Sequence, residues 1–224
     1  MDREYLDFLI QWEKQDDWSF FDLTGCSGDL ILFMYELAEL AKQREIANSM
    51  KWLTFDVTPV LEIEKELVSW NNQAGSVADE DIAGLSEVEA EKLFHKAQDR
   101  HHCAEAWRCA LLLYIRRVFK SVQQRPVIAQ LVRRIIDHTT CCRRAFQTQK
   151  QLLLPVFLAG SETSDQDMRD YVKEYCDYWG KKSRYRMFNT VPLVLDQVWK
   201  SGQWWAPVID QMSTVHGATQ LLLG

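Results

Sequence analysis

An all-α fold is what this sequence predicts: one bundle-like domain over residues 1–224, with about eight to ten helices and no significant sheet. Three observations carry that reading. Apolar residues recur at steps of three and four in segment after segment. Glycine (9) and proline (5) are scarce, which favours long helices over many-turned sheets. No sustained apolar–polar alternation and no Asn-Gly hairpin signal occurs. A chain of this length buries roughly 70% of its unfolded surface, enough for a core without staples. Neither an internal repeat nor a low-complexity tract is present.

Taken in order, Asp2–Lys14 places Leu6, Phe8, Leu9 and Trp12 at mixed helical spacing, so a short helix is expected there. Asp16–Gly28 reads as a connector whose Trp18, Phe20 and Phe21 plug the core. Thr24 or Ser27 caps a long helix running to about Trp52, with Leu30, Met34, Leu37 and Ala41 as its stripe and Ile31 and Ala38 beside it. Glu36, Glu39, Lys42 and Arg44 lie opposite. Thr58-Pro59 supplies a cap and a first-turn proline for a helix through Trp70, with Val60, Ile63, Leu67 and Val68 inward. Residues 71–85, with Asn71-Asn72-Gln73, the Asp79-Glu80-Asp81 run and Gly84, read as a mobile surface loop.

Ser86-Glu87-Val88-Glu89 has the capping-box pattern. It opens helical sequence to about Lys120, with a bend expected near His101–His102. Trp107, Ala110, Leu111, Tyr114 and Val118 share a face, and Leu112, Leu113 and Ile115 fill in around it. A helix apolar on most sides is a central helix. Pro126 opens the next, with Ile128, Leu131, Val132, Ile135 and Ile136 inward, running into Cys141–Cys142. Leu152–Ala159 is intensely apolar and reads as stopping at Gly160. Ser164 is the expected cap of a helix to Trp179, and Asn189-Thr190-Val191-Pro192 starts another that ends near Gly202. A last short helix carries Trp204, Trp205, Val208, Ile209 and Met212, before the tail Leu221-Leu222-Leu223-Gly224.

Composition excludes several function classes. The formal net charge of −6 argues against a broad nucleic-acid-gripping face. The basic clusters Arg116–Arg117 with Lys120, Arg133–Arg134, Arg143–Arg144 and Lys181–Lys182 with Arg184 and Arg186 read as solvated helix faces. No apolar run reaches the roughly 18 residues of a membrane span. Six cysteines without disulfide-framework spacing, and no signal peptide, point to reduced thiols in the cytosol or nucleus.

Reactive constellations are sparse. His101, His102, Cys103 and Cys109 form one group, and His138, Cys141 and Cys142 another. Neither has the paired ligands separated by a loop that zinc modules show, so buried thiols with surface imidazoles are the plainer reading. Gly25-Cys26-Ser27-Gly28 lacks nucleophile-elbow spacing, though a helix N-terminus could lower the Cys26 pKa. Glu62, Glu64 and Glu66 with Lys65, and Asp79-Glu80-Asp81, read as solvated surface. No phosphate loop or dinucleotide fingerprint is present. Neither catalytic nor metal-ligating residues are assigned, no cofactor is expected, and the chain is not expected to be an enzyme. Nine tryptophans, many beside helix ends, either close helix crossings or line an apolar pocket or oligomer interface.

From Leu153 the sequence is familiar. Leu153-Leu154-Pro155-Val156-Phe157-Leu158-Ala159-Gly160-Ser161-Glu162, then Arg169, then Val198-Trp199, resembles the signature of the fungal-specific transcription factor domain that lies C-terminal to binuclear zinc-cluster DNA-binding modules. Pro155, Gly160, Glu162, Arg169, Val198 and Trp199 match the motif positions. Gly25–Leu40 resembles the family's first helix, Glu105–Phe119 with Ala110-Leu111-Leu112-Leu113-Tyr114 its central helix, and the Trp-Trp and Leu-Leu-Leu-Gly segments its ending. Ser161 stands where cysteine is common and Leu154 where an aromatic is common, both packing-level departures. The six scattered cysteines include no Cys-x-x-Cys, so the zinc cluster is absent from this sequence.

The resemblance implies a regulatory domain that senses a small apolar molecule or binds a transcriptional coregulator. It implies the nucleus, with shuttling to the cytoplasm open, and possible homodimerisation, without direct nucleic-acid or membrane contact. Met34, Tyr114, Phe157 and Trp199 are the expected lining of an apolar pocket, with core packing as their other reading. A ligand-free dimerisation scaffold is the alternative. An all-helical enzyme is the remaining one, and would need acidic metal-binding motifs on facing helices.

Overall fold

The computed structural model of the chain describes residues 21, 24–50, 52–73, 75–77, 82–120, 124–144 and 147–216, and among them it is built of nine α-helices without a strand. The expected helix at Asp2–Lys14, the Trp18–Phe20 plug, the Asp79-Glu80-Asp81 run and the Leu221–Gly224 tail lie outside the described residues. The helices are α1 (Gly28–Ser49), α2 (Thr58–Ser69), α3 (Glu87–Val118), α4 (Arg125–Cys141), α5 (Gln147–Lys150), α6 (Leu153–Glu162), α7 (Gln166–Lys182), α8 (Met187–Ser201) and α9 (Trp205–His216).

The longest, α3, forms because its start is capped and its second half is apolar all round. Ser86 Oγ accepts from Glu89 N, and the Glu89 carboxylate accepts from Ser86 N at 2.9 Å. This reciprocal pair satisfies two first-turn donors that the helix cannot. From Cys103 to Ile115 only Arg108 and Tyr114 are not buried. The helix is continuous through His101–His102. It is the hub of the packing, contacting α1, α2, α4, α5 and α6. The apolar stripe of α4 (Ile128, Leu131, Val132, Ile135, Ile136) lies buried between α3 and α6. The α7–α8 pair covers α6 from outside, and α9 closes on α8. Phe157, Ile115, Ile135 and Leu195 are wholly enclosed in one continuous core. Each such side chain contributes roughly 1.5–3 kcal/mol of burial.

Helix ends are where local reading and structure part. Thr58 is inside α2 rather than its cap; Asp56 Oδ1 accepts Thr58 N at 2.9 Å instead. Val68 faces outward, 64% exposed, because α2 offers α3 only the narrow stripe Val60, Ile63 and Leu67. Asp165, not Ser164, caps α7: its Oδ1 accepts from Asp167 N and Met168 N, while Thr163 Oγ1 holds Asp165 N at 3.1 Å. Gly160 does not stop α6, which runs to Glu162, and α7 continues past Trp179 to Lys182. Pro192 is inside α8, which begins at Met187 with short-range bonds from Phe188 N and Asn189 N back to Tyr185 O and Arg186 O. Gly202 ends it at φ 66°, a left-handed turn that suits glycine. Within residues 71–85, Asn72 Nδ2 donates to His101 O at 3.0 Å, and Gly75 seats against His101 and Ala97, where a Cβ would meet His101 Cβ at 2.7 Å.

Candidate functional site

Gly160, Arg169 and Trp199 of the motif converge where α6 ends, α7 begins and α8 finishes. Pro155 sits in the first turn of α6, where its missing N–H has no intrahelical acceptor to lose. A turn and a half later, Gly160 lets α6 approach α7 and α8 closely. A Cβ there would lie 3.1 Å from Leu195 Cδ1 and 3.2 Å from Val172 Cγ1. The Gly160 carbonyl, near the helix end, accepts the Trp199 indole N–H at 2.8 Å. Arg169 lies 5.0 Å and Lys173 5.2 Å from the same indole. Arg169 Nε also donates to Thr163 O at 3.1 Å, and Lys173 bridges to Asp196 of α8 at 2.9 Å. Val198 is buried beneath. Trp199 of α8 is thereby held by α6 and α7, its ring under two cations.

Glu162 faces the other way, toward α3. Arg117 Nε donates to its Oε1 at 2.6 Å, with the two side chains 20% and 12% exposed. Burial pushes the Glu162 carboxyl up from its ordinary value, against the opposing pull of Arg117. Between this pair, Tyr114, Leu158 and Trp205 lies a cavity of about 10 Å³, room for one water.

Three of the four expected pocket residues stand around this node, and the fourth, Met34, is on α1. Phe157 is fully enclosed and meets Trp205 edge-on at 5.6 Å between centroids. Tyr114 lines the small cavity and stands edge-on to Phe119 at 6.3 Å. Trp199 is clasped as described, and Met34 is half-buried against the core on α1. The structure thus places Tyr114 beside Glu162 and Trp199 beside Gly160.

The two His/Cys groups, separate in sequence, meet across the α3–α4 interface. His102 Nδ1 and His138 Nδ1 are 3.0 Å apart, and Cys103 Sγ and Cys142 Sγ 3.6 Å. Burial first, then the neighbouring His102 charge, lowers the His138 pKa to about 4; burial lowers His102 as well. The hydrogen bond between the free thiols of Cys103 and Cys142, with burial, holds the Cys103 thiol well above its ordinary value. Among the described residues no group of three or more potential metal ligands converges. Cys26 is buried and its thiol is pushed well up, by burial and then by Asp29; the helix start does not activate it. Glu64 is not solvated surface either. It is 12% exposed and takes Arg116 and Lys120 of the α3 end, each at 2.8 Å. Burial alone would raise Glu105, but Arg108, at 2.7 Å and 3.1 Å, outweighs it and leaves the carboxyl lowered.

Sequence reading misses Gln149 altogether. It is 3% exposed in a polar stretch that looks like linker. Its Nε2 donates to Thr139 O at 3.1 Å and Cys142 O at 3.0 Å, and its Oε1 accepts the Trp179 indole N–H at 3.1 Å. Its backbone carbonyl accepts Tyr175 OH at 2.8 Å. One amide therefore ties the end of α4 to α7. No local periodicity marks it; the only hint is a lone polar cluster wedged between the apolar stripe of α4 and the strongly apolar α6.

No described helix is long and apolar enough to cross a membrane. A sequence profile described as the fungal specific transcription factor domain matches residues 1–209. No curated protein and no solved structure matches the chain.

Proposed function

The chain belongs to the fungal-specific transcription factor domain family, and from that premise we propose that it is the regulatory body of a nuclear transcription factor, acting through contacts with other proteins. The family match gives it a role in transcription regulation. The observation that supports the finer reading is the packing of the motif itself. Gly160, Arg169 and Trp199 make one interhelical clasp, and Glu162 carries it to the central helix through Arg117. A clasp that couples α3, α6, α7 and α8 suits a body that passes a surface event from one face to another. It is not the geometry of a reactive centre, which would bring a nucleophile or base to an open cleft.

Sensing of a small apolar molecule remains a second reading. In this packing Phe157 and Trp199 are occupied by protein neighbours, and the space beside Tyr114 holds about one water. Entry of a ligand there requires Trp205 and α9 to lift from Phe157. Thermal melts across sterol and metabolite panels test it, since a ligand that binds the folded state raises the melting temperature by mass action.

For the primary reading, the chain is fused to a heterologous DNA-binding module and a reporter is followed in fungal cells. The expected result is a change in reporter output, up or down, relative to the module alone. Variants that break the clasp while leaving the fusion abundant, such as Arg169→Ala, shift that output. Reporter activity indistinguishable from the module alone under all growth conditions rejects the proposal.

A further inference from the structure

One face of the molecule runs against its overall charge. The chain carries a net −6, yet residues 178–186 hold Lys181, Lys182, Arg184 and Arg186 and no acid. Two further cations arrive from other segments. Arg144, in the turn after α4, lies over the Tyr178 ring at 5.1 Å, and Lys182 Nζ is 4.3 Å from the same ring centroid. Lys150 of α5 lies over Tyr185 at 5.3 Å, and that tyrosine is 57% exposed. Lys181 alone of these takes a carboxylate among the described residues, Asp177 at 2.6 Å. The negative end of the α7 dipole accounts for Lys181 and Lys182. It does not account for Arg144 and Lys150, which two other segments bring to one pair of tyrosines.

The patch is pre-shaped. Arg143, the residue before Arg144, is clamped by its N–H to Asp99 Oδ1 at 3.1 Å and by its guanidinium to His95 O at 2.9 Å and Gln98 Oε1 at 2.9 Å. Tyr178 OH donates to Arg144 O at 3.2 Å, tying the turn to α7. Between them opens a surface cleft of about 270 Å³ lined by Arg144, Tyr178, Lys181 and Lys182, and also by Glu174 and by Asp177, the carboxylate paired with Lys181. That volume is below the usual small-molecule range of roughly 300–1,000 Å³. It suits one apolar side chain of a peptide with its acidic neighbours on the rim.

The geometry points to this cleft and the basic surface around it, at the C-terminal end of α7, as a docking site for an acidic peptide segment of a protein partner. Cations held against rings keep their charge available while their stems stay ordered, so less entropy is lost on binding. Nucleic acid fits less well, because the patch is short compared with a phosphate track. The regulatory-domain reading supplies only the cellular meaning of such a contact; the binding itself stands or falls separately from the reporter experiment.

The test uses the whole chain and fluorescence anisotropy, with a labelled peptide of glutamates around a single leucine and its glutamine counterpart. Saturable binding of the acidic peptide alone is expected, weakening as salt rises. Arg144→Glu with Lys182→Glu raises Kd about tenfold or more, whereas Lys65→Glu, at an exposed position of α2 beside the opposite end of α3, leaves it within about twofold. Melting curves check that each variant is folded. In the wild-type chain, hydrogen exchange slows at residues 143–144, 147–150 and 178–186 on peptide addition. No binding of the acidic peptide, no loss on charge reversal in a folded variant, or tighter binding to duplex DNA or phosphatidylserine vesicles than to the peptide overturns the assignment.

Discussion

Gln149→Leu is the substitution whose outcome the structure specifies most closely. The amide serves three buried groups: Thr139 O, Cys142 O and the Trp179 indole N–H. Thr139 O keeps another donor, the Cys142 N–H at 3.3 Å, so two groups are left without a partner. A buried polar group stripped of its partner costs about 1–3 kcal/mol, giving roughly 2–6 kcal/mol for the two. Leucine returns about 1–2 kcal/mol through added apolar burial. A net loss of about 3 kcal/mol is therefore expected, a large part of the roughly 5–15 kcal/mol that holds a domain of this kind. Gln149→Glu should be worse at neutral pH. It replaces two donors with a carboxylate oxygen aimed at two carbonyls. Enclosure raises the pKa of such a carboxyl above its unfolded value, so the folded form binds more protons and the deficit relative to wild type shrinks as pH falls. Urea unfolding followed by far-UV circular dichroism measures both. A Gln149→Leu midpoint within about 1 kcal/mol of wild type at equal m-value would refute the claim that this amide is the tie between α4 and α7.

Other consequences are testable alongside. His138, lowered to about 4, binds protons more readily unfolded, so its stabilising share is whole above pH ~6.5 and is lost as pH falls toward 4. Allowing for screening of a half-exposed ring, that is about 1–2 kcal/mol. His138→Phe should flatten the wild-type slope of stability between those pH values, and an unchanged slope contradicts it. Gly160→Ala gains about 1 kcal/mol of helix propensity but overpacks Leu195 and Val172, at roughly 1–3 kcal/mol. It should destabilise by about 1 kcal/mol, and adding Val172→Ala should recover part of the overpacking term; a stabilised single variant shows that the helices can part. Glu162→Gln should destabilise by about 2 kcal/mol through the stranded Arg117, and the cycle with Arg117→Met should give a coupling of about 0.5–3 kcal/mol. Additive single-variant losses would mean that the pair is not linked.

Much of the fold was legible in the residues because its signals are local. The Ser86–Glu89 box, the all-round apolar face of Trp107–Val118 and the stripe of α4 each depend on neighbours three or four positions away. Even the choice of Asp165 over Ser164 turns on Thr163, next in the chain but one. The motif residues could be named from resemblance, though not what they touch. Gly160 read as a stop because an apolar run ended there; in the fold it is a crossing point, decided by Leu195 and Val172 on other helices.

The chain alone, then, determined that helices form, roughly where, and which stripes turn inward, since helical hydrogen bonds and side-chain spacing are properties of a short segment. Tertiary structure decided which polar groups meet. Arg117 with Glu162, His102 with His138, Gln149 with Trp179 and Arg144 with Tyr178 lie tens of residues apart. Their pairing follows from how the helices cross, and the same packing removes water from some of them and so sets what each pairing contributes to stability.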